Sequence, residues 1–394
     1  MPLLNWRKRI LLAPGGEAYL LRDDFTDILA AGAVNGTPAT PGPGTRTVTD
    51  AGLNLSVGSG VVTLAAGTCN SRYGVQTRLA GRLVVARTNV TTAANSYSGF
   101  AVSTGASAVA WIYEWLATNL YVAWFGGQVA IGSYAAGWNP YAVVMRASGA
   151  FYFAYQANAW KLLYLHGVSS VDGYPCLSNL NSNFGCDFIR VPFTTWLPVP
   201  IASDSFTRAD GALGSTDGIG HAEANGGGSL AWTAELGTWG ISSNTAVSSE
   251  LDVSGIGIAT VPCGTANVVG RVIATRAGNE IGMCLRYVDA DNYLLVQHDG
   301  TNCQLVERAS GVNATRITAA AALGAGEIKC SLDGANARLY LNDVLIGSYA
   351  TLANTTATAH GIFTTNIGNA LDSFVIWARG NGGQYSILDR WISP

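Results

Sequence analysis

The motif Asp23-Asp24-Phe25-Thr26-Asp27 recurs later in the chain as Asp204-Ser205-Phe206-Thr207-Arg208. A second pair of motifs closes the two copies, because Cys186-Asp187-Phe188-Ile189-Arg190 resembles Asp372-Ser373-Phe374-Val375-Ile376. The two spans between opening and closing motif are nearly equal in length, which predicts two copies of one fold. Opening and closing strands that resemble each other are expected to lie side by side, so that each domain begins and ends at one place.

Between these motifs the sequence consists of short runs of alternating apolar and polar residues, bounded by Gly, Asn, Asp and Ser. Leu53–Val57 and Arg338–Asn342 are examples, and this alternation is typical of antiparallel strands with one buried face. Helical periodicity is nearly absent. We therefore predict an all-β protein built from two tandem antiparallel β-sandwich domains.

Three prolines within Val191–Pro200 separate the two copies and predict a short, stiff linker. The expected order is an N-terminal arm at residues 1–20, a first sandwich at 21–191, a linker at 192–202, a second sandwich at 203–379 and a C-terminal tail at 380–394. Met1–Gly16 and Gly380–Pro394 carry large apolar side chains outside the predicted strands. We expect a partner to cover them, since such surface is rarely left free.

Charged residues make up 12% of the 394 residues, and the net charge is −3. Because the basic residues are scattered and form no stripe, no nucleic-acid partner is expected. No apolar run approaches the ~20 residues of a membrane-spanning helix, so no membrane insertion is expected. The run Ile10–Ala13 is also too short for a signal peptide. A weakly charged surface rich in small residues favours packing against copies of the same chain or other proteins, hence a homo-oligomer.

The seven cysteines form no CxxC pair and no Cys/His metal spacing. An odd number cannot complete a disulfide framework within one chain, so buried reduced thiols are the simpler expectation. Cys176 and Cys186 flank a loop rich in Asn, and they are the one pair for which a bridge is left open.

The second copy contains an ordered series of motifs: Asp204–Gly214, Trp232, Gly237–Asn244, Gly282–Gln297, Ala337–Val344, Gly361–Asn366 and Asp372–Phe374. This series resembles the laminin-G/concanavalin-A-like jelly-roll modules of bacteriophage structural proteins and of bacterial surface and carbohydrate-active proteins. The resemblance implies a non-enzymatic structural or adhesion protein of a virion, as a capsid decoration or tail-fibre-associated protein. The expected partners are then other virion proteins and cell-surface glycans, and the expected location is the virion or an extracellular surface. The alternative is a pair of carbohydrate-binding modules from a bacterial surface protein or a glycosidase accessory.

Modules of this kind often hold a structural Ca²⁺ between their first and last strands, and the resemblance implies such a site at Asp204 and Asp372. Each of these aspartates lies two residues before a Phe, so both are expected to face the same way. In the first copy Cys186 stands where the second has Asp372, and Asp187 is expected to point the other way. Calcium is therefore expected in the second domain, and no other cofactor is expected.

A sugar-cleaving family with this fold places Glu-x-Asp-x-x-Glu on one strand. Glu250-Leu251-Asp252 matches its first two carboxylates and lacks the third, so no acid/base partner for retaining chemistry is present. The histidines lie far apart in the sequence, and no HExxH motif or nucleophile elbow occurs. No enzymatic activity is expected, and a glycosidase is the third hypothesis.

Five large aromatic residues crowd into one short stretch of the first copy: Trp111, Trp115, Trp124, Trp138 and Tyr141. Runs such as Ala110–Tyr113 are expected to fill the core. Trp138-Asn139-Pro140-Tyr141 lies in a turn context instead, where aromatic side chains are more exposed. Trp138 and Tyr141 are therefore the candidate glycan-binding residues.

Overall fold

The computed structural model describes residues 19–30, 33–50, 55–64, 68–73, 81–90, 97–103, 108–115, 119–124, 127–134, 136–146, 149–166, 173–180, 184–217, 229–323, 325–380, 385, 388 and 392. These residues form antiparallel strands, and the chain divides into unit 1, residues 1–197 with 382–394, and unit 2, residues 198–381. The predicted class, all-β with tandem antiparallel sandwiches of the jelly-roll kind, is confirmed. Within these ranges there is no helix with the length and apolar character needed to cross a membrane.

In chain order the described strands of unit 1 are β1 (Tyr19–Asp23), β2 (Arg46–Asp50), β3 (Leu55–Gly58), β4 (Val61–Leu64), β5 (Thr68–Tyr73), β6 (Leu83–Val90), β7 (Tyr97–Ser103), β8 (Ala108–Trp115), β9 (Asn119–Trp124), β10 (Gly127–Ser133), β11 (Asn139–Arg146), β12 (Gly149–Gln156), β13 (Ala159–His166), β14 (Tyr174–Leu180) and β15 (Phe184–Pro192). The back sheet of unit 1 has the order β13-β12-β11-β6-β15-β4-β3, with β1 also paired to β15. The front sheet of unit 1 has the order β10-β9-β8-β7-β14-β5-β2.

The described strands of unit 2 are β16 (Ala202–Asp204), β17 (Gly211–Ala212), β18 (Thr233–Leu236), β19 (Thr238–Ser242), β20 (Thr245–Glu250), β21 (Gly257–Pro262), β22 (Val268–Thr275), β23 (Ile281–Asp289), β24 (Asn292–His298), β25 (Asn302–Ala309), β26 (Val312–Ala320), β27 (Ala325–Asp333), β28 (Asn336–Leu341), β29 (Val344–Tyr349), β30 (Ala359–Thr364) and β31 (Ala370–Ala378). Its back sheet has the order β17-β19-β20-β31-β22-β27-β28-β29, with β16 also paired to β31. Its front sheet has the order β18-β21-β30-β23-β24-β25-β26.

The strand orders of the two units correspond, except that β17 at the edge of the unit 2 back sheet has no counterpart among the described strands of unit 1. The back-sheet path β3-β4-β15-β6-β11-β12-β13 matches β19-β20-β31-β22-β27-β28-β29, and the front-sheet path β2-β5-β14-β7-β8-β9-β10 matches β18-β21-β30-β23-β24-β25-β26. In each unit the first strand pairs antiparallel with the last, with Asp23 opposite Ile189 and Asp204 opposite Phe374. The repeated motifs therefore mark two copies of one topology.

Each unit is a sandwich whose core lies between its two sheets. In unit 2, Val272 of the back sheet and Met283 of the front sheet belong to one buried apolar cluster. In unit 1 the Tyr152 hydroxyl on β12 donates to the Ala123 carbonyl on β9, at 3.3 Å. Alternate residues of each strand face this core, which explains the period of two in the sequence.

The opening motifs fold into the same corner in both units. Phe25 and Phe206 have left-handed φ angles of 52° and 54°. Their N–H groups donate to the aspartate two residues earlier, Asp23 at 3.2 Å and Asp204 at 2.8 Å. Both Phe rings are buried, which holds the backbone in a conformation that non-glycine residues rarely adopt. The repeated Asp-x-Phe sequence thus encodes a turn at the end of the first strand.

The last residues of the chain belong to unit 1. Tyr385 and Leu388 are buried, and the Tyr385 ring lies 5.1 Å from that of Phe153 and 6.0 Å from that of Trp196, centroid to centroid. The expectation that a partner covers the C-terminal tail is therefore wrong for these two side chains, because unit 1 itself covers them. The N-terminal arm, for which the same was expected, lies outside the described residues up to residue 18.

Cys176 and Cys186, the pair left open for a bridge, are both free and buried. Burial raises the pKa of the Cys186 thiol well above its usual value, and its Sγ lies 3.1 Å from the Phe188 carbonyl oxygen. The other cysteines within the described ranges for which the side chain is placed are also free and buried: Cys263, Cys284, Cys303 and Cys330. These thiols are core residues, as the sequence predicts.

Candidate functional site

Asp204, the first predicted calcium ligand, ends β16 with a fully buried side chain. Its carboxylate accepts hydrogen bonds from both terminal nitrogens of Arg208, at 2.7 and 3.0 Å, and from Nε1 of Trp232 at 2.7 Å. Burial raises the pKa of Asp204, and the hydrogen bonds from Arg208 and Trp232 oppose that shift. A cation of the same chain therefore already compensates this carboxylate.

Asp372, the second predicted ligand, is exposed. The pairing of β31 with β22 skips Asp372, which is the extra residue of a β-bulge. The bulge breaks the alternation from which a common face with Asp204 was predicted. Because Asp204 is paired with Arg208 and Asp372 faces solvent, the two residues do not fit a shared Ca²⁺. Within the described ranges, no three His, Cys, Asp or Glu side chains are grouped so that they could hold a metal ion.

Unit 1 repeats this arrangement with its own partners. Asp23, fully buried at the end of β1, accepts hydrogen bonds from Nε and Nη2 of Arg46, each at 2.6 Å. The pairing of β15 with β6 skips Asp187, so Asp187 occupies the bulge position that Asp372 has in unit 2. The predicted match of Cys186 with Asp372 is wrong, because alignment on the Phe residues displaced the register by one.

Glu250 and Asp252, the partial glycosidase signature, lie at a turn. Glu250 is exposed at the end of β20. Asp252 accepts hydrogen bonds from the N–H of Ser254 and the N–H of Ile256, both at 2.9 Å. Slight burial raises the pKa of Asp252, and hydrogen bonds with Ser254 and Ile256 more than offset it, so that the pKa is lowered. Asp252 therefore stabilises the turn between β20 and β21.

Tyr141, predicted as an exposed glycan-binding residue, is buried between the two sheets of unit 1. Its hydroxyl donates to Oε1 of Glu114 at 2.6 Å. Burial raises the pKa of Glu114 to about 8, although the hydrogen bonds from Tyr141 and Asn139 lower it. The structure corrects the prediction for Tyr141, because the alternation of β11 turns this side chain inward, where a ligand cannot stack on it.

Trp138, the other predicted glycan-binding residue, is 40% exposed and directly precedes β11. It lies on the outer side of the back sheet of unit 1, where the Arg87 guanidinium carbon is 5.7 Å from its ring centroid. Trp138 and Tyr141 are therefore not brought together, and only Trp138 is accessible.

The outer face of the front sheet of unit 1 carries aromatic residues that the sequence analysis assigned to the core. Glu114 points between the sheets, so Trp111 and Tyr113 on the same strand, at odd spacing from it, point away. The ring centroids of Trp111 and Tyr113 are 4.5 Å apart, and those of Tyr113 and Tyr121 are 5.6 Å apart and nearly parallel. We call Trp111, Tyr113 and Tyr121 the aromatic strip.

The aromatic strip combines a fixed centre with partly exposed ends. Tyr113 is only 3% exposed, and its hydroxyl donates to Oε1 of Gln128 at 2.7 Å. Trp111 and Tyr121 are half-buried, and Gln128 is exposed. Opposite Tyr113 stands Gly99, where a Cβ would come within 2.8 Å of the Tyr113 Cβ. The outward aromatic residues could have been found from the sequence. Successive residues of a strand point to opposite faces, so Trp111 and Tyr113 cannot share the core face with the residues between and beside them.

The corresponding face of unit 2, formed by β24, β25 and β26, has different chemistry. Nε2 of Gln297 donates to Oε1 of Gln304 at 3.1 Å, and Nε2 of Gln304 donates to Oγ1 of Thr318 at 3.4 Å. These amides occupy the positions that Tyr113 and Tyr121 have in unit 1, whereas Tyr293, at even spacing from Gln297 on β24, stacks on Tyr287 with ring centroids 6.0 Å apart. The two units share a topology but present different side chains at the same place.

No protein-family model and no curated protein matches the chain. Among solved structures it is similar to the carbohydrate-binding module CBM66 of Bacillus subtilis, at 15% identity over 38% of this chain and 92% of that chain, with a TM-score of 0.30. It is similar to a family 16 glycosyl hydrolase protein of Mycobacterium smegmatis, at 11% identity over 44% and 100%, with a TM-score of 0.34. A pseudo β-1,3-glucanase of Mycobacterium tuberculosis gives 12% identity over 45% and 99%, with a TM-score of 0.34. Such likeness assigns no role to any residue of this chain.

Proposed function

We propose that this protein binds glycans without cleaving them, through the outer face of the front sheet of unit 1. The observation that supports the proposal is the aromatic strip, in which three ring systems adjoin on one outward face beside an exposed amide. The carbohydrate-binding alternative is thus preferred to a structural role in a virion. A virion location and assembly with copies of itself stay predictions.

Sugar rings have apolar C–H faces and polar edges, so a surface that binds them combines aromatic faces with hydrogen-bonding groups. Trp111 and Tyr121 supply partly exposed rings, and the Gln128 amide both donates and accepts hydrogen bonds. Tyr113 is held between its neighbours and hydrogen-bonded to Gln128. Because the surface is fixed before a ligand arrives, little side-chain entropy is lost on binding.

Binding without cleavage is proposed because of the carboxylates at this face. Hydrolysis that retains configuration needs two carboxyl groups about 5–5.5 Å apart. The sequences of β8, β9 and β10 contain one carboxylate, Glu114, and it points between the sheets toward Tyr141. The aromatic strip is therefore suited to hold a sugar chain and not to break it.

The proposal is tested by titrating the protein with soluble laminarin, xylan, galactan and dextran in a calorimeter, together with the variants Trp111→Ala and Tyr121→Ala. Each variant should weaken binding about tenfold, since loss of an aromatic contact costs on the order of 1.4 kcal/mol. Phe193→Ala is the matched control, because Phe193 is 49% exposed in the segment that follows β15. If none of the polysaccharides binds, or if folded Trp111→Ala matches the parent both in affinity and in the number of molecules bound, the proposal fails.

A further inference from the structure

Trp138 is fixed on the back sheet of unit 1 although much of it is exposed. Its Cη2 atom would lie 3.1 Å from a Cβ built on Gly185, so the indole rests directly on the backbone of β15. Gly137, which precedes Trp138, has a φ of 111°, and its carbonyl accepts a hydrogen bond from Nδ2 of Asn139 at 3.0 Å. The turn at Gly137 and the contact with Gly185 therefore hold a partly exposed indole in a fixed position before any ligand binds.

Arg87 stands beside this ring and is itself held in place. Its Nη2 pairs with Oδ2 of Asp187, the bulge residue, and its Cζ lies 6.0 Å from the ring centroid of Phe188. The Arg87 side chain is 41% exposed, whereas that of Asp187 is 14% exposed. The more buried Asp187 thus orients the Arg87 guanidinium, which remains accessible to solvent next to Trp138.

We propose that Trp138, Arg87 and Asp187 form a second saccharide site, on the opposite sheet of unit 1 from the aromatic strip. The inference rests on the proposed glycan-binding function and extends it, since unit 1 then holds two sugar chains at once. The C–H face of a pyranose stacks on Trp138, and its hydroxyl oxygens accept hydrogen bonds from Arg87. Asp187 holds Arg87 in position and touches the ligand only through it.

The charges at the site favour a neutral sugar. Asp187 pairs with Arg87, and Arg190, whose charge also acts on Asp187, is itself paired with Asp24, so the accessible Arg87 is already compensated by a carboxylate. The carboxylate of an acidic sugar at Arg87 would lie close to Asp187 and be repelled. Neutral hexoses or pentoses in oligosaccharides are therefore the ligand class.

Binding sites are counted by calorimetric titration with the neutral hexaoses laminarihexaose, xylohexaose, cellohexaose and maltohexaose, and with the acidic tetragalacturonate for comparison. The parent protein should bind two molecules of the same hexaose, and Trp138→Ala and Trp111→Ala should each bind one. The double variant should bind none. Gly185→Val should reproduce the effect of Trp138→Ala, because the added side chain displaces the indole without removing it.

The outcomes separate this site from the aromatic strip. If Trp138→Ala binds as many molecules as the parent, the second site is refuted and the proposed function stands. If Trp111→Ala has no effect and Trp138→Ala abolishes binding, the aromatic strip is refuted and the site at Trp138 stands. Binding that depends on Trp138 but is confined to tetragalacturonate would overturn the assignment of a neutral sugar.

Discussion

At the scale of single residues, burial changes the protonation of Glu114, a residue type that is usually a charged surface group. Only 1% of this residue is exposed, and burial raises its pKa to about 8. In the unfolded chain the pKa is about 4.3. Between these values the folded state keeps the proton that the unfolded state loses, so rising pH favours unfolding.

We therefore expect the stability of unit 1 to fall as pH rises from about 4.3 to about 8, by up to about 1.4 kcal/mol per pH unit. Below pH 4 the group makes no difference, because both states are protonated. Glu114→Gln keeps the acceptor for the Tyr141 hydroxyl and cannot ionise, so its slope over this range should be smaller. Urea denaturation of both proteins between pH 4 and 9 measures the difference, and equal slopes would contradict the assignment.

The residues that the sequence placed well and those it misplaced differ in one physical respect. Asp23 and Asp204 were correctly matched to each other because they open two copies of one short motif, although their role in a turn was not predicted. Tyr141 was misplaced because nothing local reveals where β11 begins, and one residue of displacement reverses inside and outside. Trp111 was assigned to the core because large aromatic residues usually bury, whereas its strand presents a face on each side.

At the scale of elements, the turn after the first strand contains a buried aspartate paired with an arginine in both units. The two arginines differ in how far they are exposed to solvent. Arg46 is fully buried and binds Asp23 and Asp27, the latter at 2.7 Å. Arg208, the partner of Asp204, is 26% exposed. The same corner is therefore closed to solvent in unit 1 and partly open in unit 2.

Arg46→Met should lower the free energy of unfolding of unit 1 by about 3–5 kcal/mol, because it leaves a buried carboxylate without its cation. Arg208→Met should cost unit 2 less, since water can enter where the arginine was. The control is the double variant Asp23→Asn with Arg46→Met. It should recover part of the lost free energy of unfolding, because it removes the unpaired buried carboxylate. Thermal unfolding followed by calorimetry gives these values, and a larger effect of Arg208→Met would refute the comparison.

β-Bulges explain why the pairing of the first and last strands was predicted correctly but the direction of some of their side chains was not. The two near-equal repeats predicted two copies of one fold with adjacent first and last strands, and β1–β15 and β16–β31 pair as expected. The sequence contains no visible sign that Asp187 and Asp372 are each skipped by the neighbouring strand. A bulge is decided by the register of two strands distant in sequence, so spacing along one strand cannot reveal it.

At the scale of the whole molecule, the two-copy organisation followed from sequence, but the assignment of the chain's last residues did not. The expected order was arm, sandwich, linker, sandwich and tail, each following the last. In the structure, residues 382–394 belong to unit 1, so unit 1 is built from both sides of unit 2 in the sequence. The tail has no strand periodicity, and an apolar side chain alone does not specify which surface buries it.

Deleting residues 382–394 should therefore destabilise unit 1 and leave unit 2 unchanged. Tyr385 and Leu388 are 3% and 0% exposed, and burial of two such side chains contributes on the order of 3 kcal/mol. Tyr385→Ala should give part of the loss, because it removes the contacts with Phe153 and Trp196. Differential scanning calorimetry should show one transition shifted downward, and the isolated fragment 198–381 identifies the transition that belongs to unit 2.

Because cutting the linker alone leaves the tail attached to unit 2, a fragment of residues 1–197 should be less stable than unit 1 in the intact chain. Equal melting temperatures for that fragment and for unit 1 in the full chain would show that the tail contributes nothing.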